Sequence, residues 1–332
     1  MRRVEFLALG GAAPFFAARA RAQDDVDPAT AFRTPALRVL LGTGDASPAA
    51  SGAFVFNGRT YRGNFSRLPD GQIVNLVDIE EYLYSVVAAE MPAHWPFEAL
   101  RVQSICARTY VLQRSDPRRD YDLIPSQLDQ VYEGVSGEMP AATAAVQATA
   151  SAVLHYGANF ARVAYSSCCG GHTEASADAW GGLPVPYLAG VACNWCTASP
   201  NFRWTRTIEL DDLAARLGPD IPPGVHVQDV RIAQRDGSGR AREAEIVTAQ
   251  GSTFVTGGAF RRAVGLRELP SLLITRLDRD PSANAIVAQG AGLGHGVGLC
   301  QWGARGMALE GRTAAEILAL YFPTTTLARL DR

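Results

Sequence analysis

Two short knuckles of soft side chains constrain this chain more than any other feature. Cys169-Gly170-Gly171-His172 is a CxxH pair, and Cys193-Asn194-Trp195-Cys196 is a CxxC pair. Four such ligands in two tight pairs suit tetrahedral Zn²⁺ of the Cys₃His type, so the fold must bring both turns to one point. With all four protein ligands in place the site is closed and structural; with one missing, a position opens for water. A redox CxxC or a disulfide is the competing reading. Cys168 competes with Cys169 for the ligand position.

Length and composition narrow the remaining classes. The chain has 332 residues, 47% hydrophobic and 19% charged, which is globular composition for one large domain or two ordinary ones. A net charge of −2 supplies no basic field for nucleic acid. No run approaches the roughly 20 apolar residues of a spanning helix. All 31 basic residues are Arg, which removes Lys-based chemistry such as Schiff bases. Six Cys are too few for a disulfide scaffold at this length, but enough for one metal site.

Residues 1–22 carry the marks of an export signal. Arg2 and Arg3 form a charged start, Phe6 to Ala18 is apolar, and Ala20-Arg21-Ala22 has the small-x-small form of a cleavage site. Arg-Arg followed by Phe6-Leu7 has a twin-arginine form. Residues 23–35, polar and holding Pro28 and Pro35, read as a linker. The expected product is exported, periplasmic or secreted, with no membrane span after cleavage.

Further along, short β-rich runs broken by Gly cover Leu37 to Val77. Asp78 can cap a helix over Ile79 to Glu90, and Pro96 can open another over Phe97 to Arg114. A third helix is expected over Ala141 to Ala152. Strands then dominate: Val153 to Tyr156, Phe160 to Tyr165, Val227 to Gln234, Glu243 to Thr248, Ser271 to Thr275 and Ala285 to Gln289. Short helices fall at Asp211 to Leu217 and Ala259 to Val264. Two more close the chain, Trp302 to Glu310 and Ala314 to Phe322, stopped by Gly311 and Pro323. Helices gather in the first half and strands in the second, so the expected class is α+β.

Two further segments carry chemistry. Glu90 ends its predicted helix just before Met91-Pro92. A carboxylate there faces the negative end of the helix dipole, at a cost of about 0.3–1 kcal/mol. Its neighbours Val86, Val87, Met91 and Trp95 are apolar. Both effects favour the protonated form, which a general acid needs at a glycosidic oxygen. Later, Gly290, Gly292, Gly294, Gly296 and Gly298 allow tight turns and close approach to a ligand. In that segment His295 and Gln301 can donate hydrogen bonds to sugar hydroxyls, and Trp302 can stack on a ring. The strand, loop, helix and acidic residue of a dinucleotide site are not there.

These constellations, in this order, resemble the stage II sporulation protein D family and its amidase-enhancer relatives (SpoIID/LytB). The matching stretches include VNLVDIEEYLYSVVAAEMPAHWPFEALRVQSICARTYVLQR, DLIPSQLDQVYEG, AYSSCCGGHTEASADAWGG and GHGVGLCQWGARGMALEGRTAAEILALYFP. The resemblance runs from about Leu76 to Pro323. It implies a peptidoglycan lytic transglycosylase, which cleaves the MurNAc–GlcNAc β-1,4 bond of glycan strands and leaves a 1,6-anhydro-MurNAc end. Sporulation members act on strands already stripped of stem peptides. By motif the catalytic glutamate is Glu90. The same motifs put Arg108, Tyr110, Gln130, Tyr132, His295, Gln301 and Trp302 at the substrate, and Cys169, His172, Cys193 and Cys196 on a structural zinc ion. They also imply one SpoIID-like domain over 36–330. Its parts are a β-rich start (36–77), a helical catalytic part (78–152), a zinc-site and β-rich part (153–290), and a closing loop and helices (291–323). The chain departs from the pattern at Ser166, where many members have His, at Cys168, where Thr or Ser is usual, and at Cys300, more often Ser. Two other readings stand beside it: a non-catalytic wall-binding module that enhances a cell-wall amidase, as the family's amidase-enhancer name suggests, and a zinc-dependent amidase, which would need an open metal position.

Overall fold

The computed structural model describes residues 36–330, apart from positions 50, 51, 127, 128, 219, 220, 222, 223 and 281. The expected export signal (1–22) and linker (23–35) lie outside the described residues. The fold is mixed α+β, with helices among several small sheets. No helix among the described residues is long and apolar enough to cross a membrane. Backbone contacts divide the chain into two units. One, here the helical unit, holds the described residues up to Val163, with Arg312–Glu316 and those from Thr324 on. The other, the cysteine unit, holds Ala164–Gly311 and Ile317–Pro323. The closing segment alternates between the two units.

In the helical unit, strand Gln72–Val77 pairs antiparallel with Leu37–Thr43 and with Asn64–Arg67. A small meander over Ala46–Pro48, Ala53–Phe56 and Arg59–Arg62 adds Phe54, Phe56 and Tyr61 to the core. Helix α1, Ile79–Glu90, starts because the Asp78 carboxylate accepts the N–H groups of Glu80 and Glu81. Glu80 and Glu81 suit the positive end of its dipole. It buries Ile79, Tyr82, Leu83, Val86 and Val87. Helix α2, Phe97–Arg114, follows Pro96 and includes Cys106 among its fully buried residues, as a core side chain whose thiol burial pushes well up. Helix α3, Pro140–Ala148, ends short of the expected Ala152. Ser151 takes a left-handed conformation (φ 62°), and Ala152 already belongs to strand Ala152–Tyr156, which pairs with Thr326–Arg329.

In the cysteine unit, helix α4 covers Ser176–Trp180. Two three-stranded antiparallel sheets follow. One orders Trp204–Glu209, Ala285–Gly290 and Ile274–Asp280; the other is the meander Val227–Arg235, Ala241–Thr248 and Gly251–Thr256. Helices α5 (Leu213–Leu217) and α6 (Gly257–Val264) share a core with these sheets through residues such as Leu213, Val230, Ile246, Phe260 and Ile286. The expected strand at Phe160 to Tyr165 is split. Asn159–Phe160 closes a hairpin, whereas Tyr165–Ser166 pairs in parallel with Leu299–Cys300. Helix α7, Gln301–Leu309, leaves directly from that short pair, and α8, Ala314–Tyr321, comes after the Gly311 turn.

Candidate metal centre and candidate catalytic carboxylate

Residues Cys169, Cys193, Cys196 and Cys300 bring their sulfurs together, all within 4.8 Å of one another and all buried. Backbone pairing makes this possible. The Cys193 N–H donates to the Gly171 carbonyl (2.9 Å), the Thr173 N–H to Val191 (2.8 Å), and His172 bridges to Ala192, so the two knuckles form a short ladder. The parallel pair Leu299–Cys300 with Tyr165–Ser166 brings in the fourth thiol. Buried Arg240 ties the knuckle down by donating to the carbonyls of Cys169 (2.8 Å) and His172 (3.1 Å).

Three of the residues expected as ligands, Cys169, Cys193 and Cys196, are therefore brought together, and His172 is not among the four. The His172 Nδ1 donates to the carbonyl of the next residue, Thr173, at 2.6 Å, and Cys300 is the fourth member of the cluster. The signal for Cys300 was its identity: a thiol in a position the resembling family more often fills with Ser. No knuckle spacing marks it, because its partner strand is distant in sequence. Cys168 is buried beside the cluster and is not one of the four.

The arrangement suits one metal ion. The Cys169 and Cys196 sulfurs are 3.7 Å apart, unbonded. Four thiolates about 2.3 Å from one zinc stand about 3.8 Å apart along each edge of the tetrahedron. Burial first, then the neighbouring thiols, pushes the Cys300 thiol well up; a bound cation is what would hold it as a thiolate. Donors already point at sulfur. The N–H groups of Cys169 (3.2 Å) and Gly303 (3.3 Å) donate to Cys300, which is also the N-cap of α7.

Residues 290–298, the glycine-rich stretch, pack into the same unit. At Gly298 (φ 70°) an added Cβ would overlap the Ala164 carbonyl, so only Gly allows this crossing. His295 was expected to face a sugar. Its Nδ1 instead accepts the Val297 N–H (3.0 Å), its other ring contacts are to the Tyr165 backbone and the Trp180 ring (5.1 Å), and burial, then Arg261, lowers its pKa to about 4. Gln301 is buried in the first turn of α7. Trp302 is part-buried, its N–H on the Ser167 carbonyl and the Arg305 guanidinium 5.2 Å over its ring.

Glu90 closes α1 in the helical unit, part-buried, with Met91 extended behind it and no basic residue in the last turn. Its charge is felt at the hydroxyls of Tyr82 and Tyr110, whose pKa values rise mainly through burial. Tyr110 is part-buried; its hydroxyl donates to Asp129 (3.2 Å), and Arg114 lies 4.8 Å over its ring. Three other expected substrate residues are interior. Arg108 is fully buried and pairs with Glu80 at 2.6 Å; Gln130 is fully buried, its amide directed at the Ala107 carbonyl; Tyr132 donates to Asn75 (2.9 Å) between the rings of Tyr61 and Tyr82. All three side chains are spent on contacts inside the helical unit.

Comparison with known proteins agrees with this layout. A family model described as stage II sporulation protein matches residues 69–156, which hold α1, α2 and Glu90. A domain of unknown function matches 194–298, which hold the two sheets. An uncharacterized protein of Brachyspira hyodysenteriae is 32% identical over 285 residues, covering 84% of this chain and 75% of its own length. Stage II sporulation protein D of Bacillus subtilis is 28% identical over 279 residues, 78% of this chain and 77% of that protein. An amidase enhancer of the same organism is 28% identical over 294 residues, but the match spans 40% of its length. On sequence, motif and matched relatives together, the chain belongs to the stage II sporulation protein D family (SpoIID/LytB).

Proposed function

We propose that the chain is an exported peptidoglycan lytic transglycosylase with Glu90 as its acid and base. The observation that carries this reading is a part-buried carboxylate at the negative end of α1, inside the family-matched segment and within electrostatic reach of the Tyr82 and Tyr110 hydroxyls. In the proposed step, protonated Glu90 gives its proton to the oxygen between MurNAc and GlcNAc as the C1–O bond breaks. The MurNAc 6-hydroxyl then bonds to C1 and its proton returns to Glu90. The sugar supplies the nucleophile, so one carboxylate suffices where an ordinary glycosidase needs two. Glycan strands, including peptide-stripped ones, are the proposed substrate.

The four cysteines are proposed to hold one structural zinc ion. A closed set of four sulfurs leaves no position for a reacting water, which disfavours a zinc-dependent amidase. The relative named amidase enhancer favours one second reading, a wall-binding module that stimulates a partner amidase.

Purified glycan strands digested with the protein should yield anhydro ends by mass spectrometry. Glu90→Gln should lose activity at least about 100-fold, the usual contribution of a positioned general acid. Ordinary reducing ends, or a fully active variant, would end the transglycosylase reading. Glycan binding without cleavage, with amidase stimulation untouched by Glu90→Gln, would establish the second.

A further inference from the structure

We propose that Tyr321 is a positioning residue of the four-cysteine centre, its phenol donating to the Cys193 sulfur and holding that sulfur as a metal-bound thiolate. The inference rests on the zinc reading above. Tyr321 is the last residue of α8, and 2% of its surface is exposed. Its hydroxyl oxygen lies 3.1 Å from the Cys193 sulfur. A buried phenol requires a partner, and this sulfur is one it reaches. Either atom of that pair could in principle donate. Once Cys193 binds a metal it has no proton, so the phenol is the donor.

The approach is built, not incidental. Gly303, in the first turn of α7, sits against both atoms. A Cβ there would overlap the Tyr321 hydroxyl and the Cys193 sulfur, so no other residue admits the contact. The donors around the cluster are also divided by sulfur. Cys300 receives the N–H groups of Cys169 and Gly303, and Cys193 receives the phenol. Four thiolates on one divalent ion leave a net charge of −2 in a buried site. Hydrogen bonds to sulfur from the surrounding groups offset that charge and set how firmly each ligand is held.

The test uses the full chain. Bound zinc is measured by mass spectrometry, and its release is followed with a chromogenic chelator, for the wild type and Tyr321→Phe. The cobalt-substituted forms give the sulfur-to-metal charge-transfer band. Wild type is expected to hold one zinc, and Tyr321→Phe to release it about 10-fold faster or more, with the band displaced and far-ultraviolet dichroism unchanged. A wild type without zinc removes the metal reading itself. A wild type that holds zinc beside a variant with unchanged release removes the role of Tyr321 alone. So does faster release with an unmoved band, because that is what looser packing gives. Should Tyr321→Phe not fold, cobalt-substituted wild type carrying 3-fluorotyrosine, a stronger donor, should shift the band the opposite way to a weakened hydrogen bond. An unmoved band there overturns the proposal.

Discussion

Arg108 carries a guanidinium that no solvent reaches. It donates to both Glu80 oxygens (2.9 and 2.6 Å) and to the Ala152 carbonyl (2.9 Å), and the same carboxylate accepts the Ser151 N–H at 3.0 Å. One ion pair thus joins α1, α2 and the turn before strand Ala152–Tyr156. Removing the cation leaves a part-buried carboxylate and a buried carbonyl without their donor, and broken pairs of this kind cost about 3–5 kcal/mol. Arg108→Ala should lose about 3 kcal/mol, the low end because Glu80 keeps some contact with water, read as a drop in the urea midpoint at unchanged slope. A loss below about 1 kcal/mol would mean that the pair is not a brace. The motif that named Arg108, Gln130 and Tyr132 could not separate side chains that touch substrate from those that support the ones that do. Both are specified by residue type, and only burial tells them apart. The proposed role of Glu90 draws on the opposite kind of signal: a carboxylate at a helix end, before Pro92 and among apolar neighbours, is costly wherever it lies, and local sequence already shows the cost.

At the scale of elements, boundaries were legible where a local signal sets them. Asp78 and Pro96 start α1 and α2, and the two helices end at Glu90 and Arg114, the residues expected from the sequence. Elements set by distant pairing were not. The parallel pair of Tyr165–Ser166 with Leu299–Cys300 is two residues long, and its partners stand far apart in the chain. It is that pair which brings Cys300 to the four-cysteine cluster. His295 makes the packing of the glycine-rich stretch measurable. Its pKa is lowered from 6.5 to about 4, first by burial and then by the charges of Arg261 and Arg240. The folded state therefore binds fewer protons than the unfolded one between these values. The associated stability is complete above pH 6.5 and drains as pH falls toward 4, by at most about 3 kcal/mol. The fall in unfolding free energy between pH 7 and pH 5 should shrink in His295→Gln. An equal fall in both proteins would show that the ring is solvated in the folded state.

At the scale of the whole molecule, the division into two units was not legible, because the chain crosses between them more than once. Val163 and Ala164 carry no linker composition, and Arg312–Glu316 returns to the helical unit before Ile317–Pro323 goes back. The cysteines nevertheless make the division testable. All four sulfurs of the cluster belong to the cysteine unit, and they join three segments around residues 169, 193–196 and 300. An ion that binds only the folded arrangement adds its binding free energy to the stability of that arrangement. The helical unit has its own apolar core in Val74, Tyr82, Leu83, Val86, Leu100 and Ile105, with Cys106 as a packed thiol rather than a ligand. Zinc removal by chelation, followed by amide hydrogen exchange, should therefore speed exchange at the 169–173 and 191–196 knuckles and in the first turn of α7. The amides of α1 and the middle of α2 should keep their protection. Equal loss in both units would show that the two fold as one cooperative body, and no loss anywhere would show that the cysteines hold their places by packing alone, without a metal.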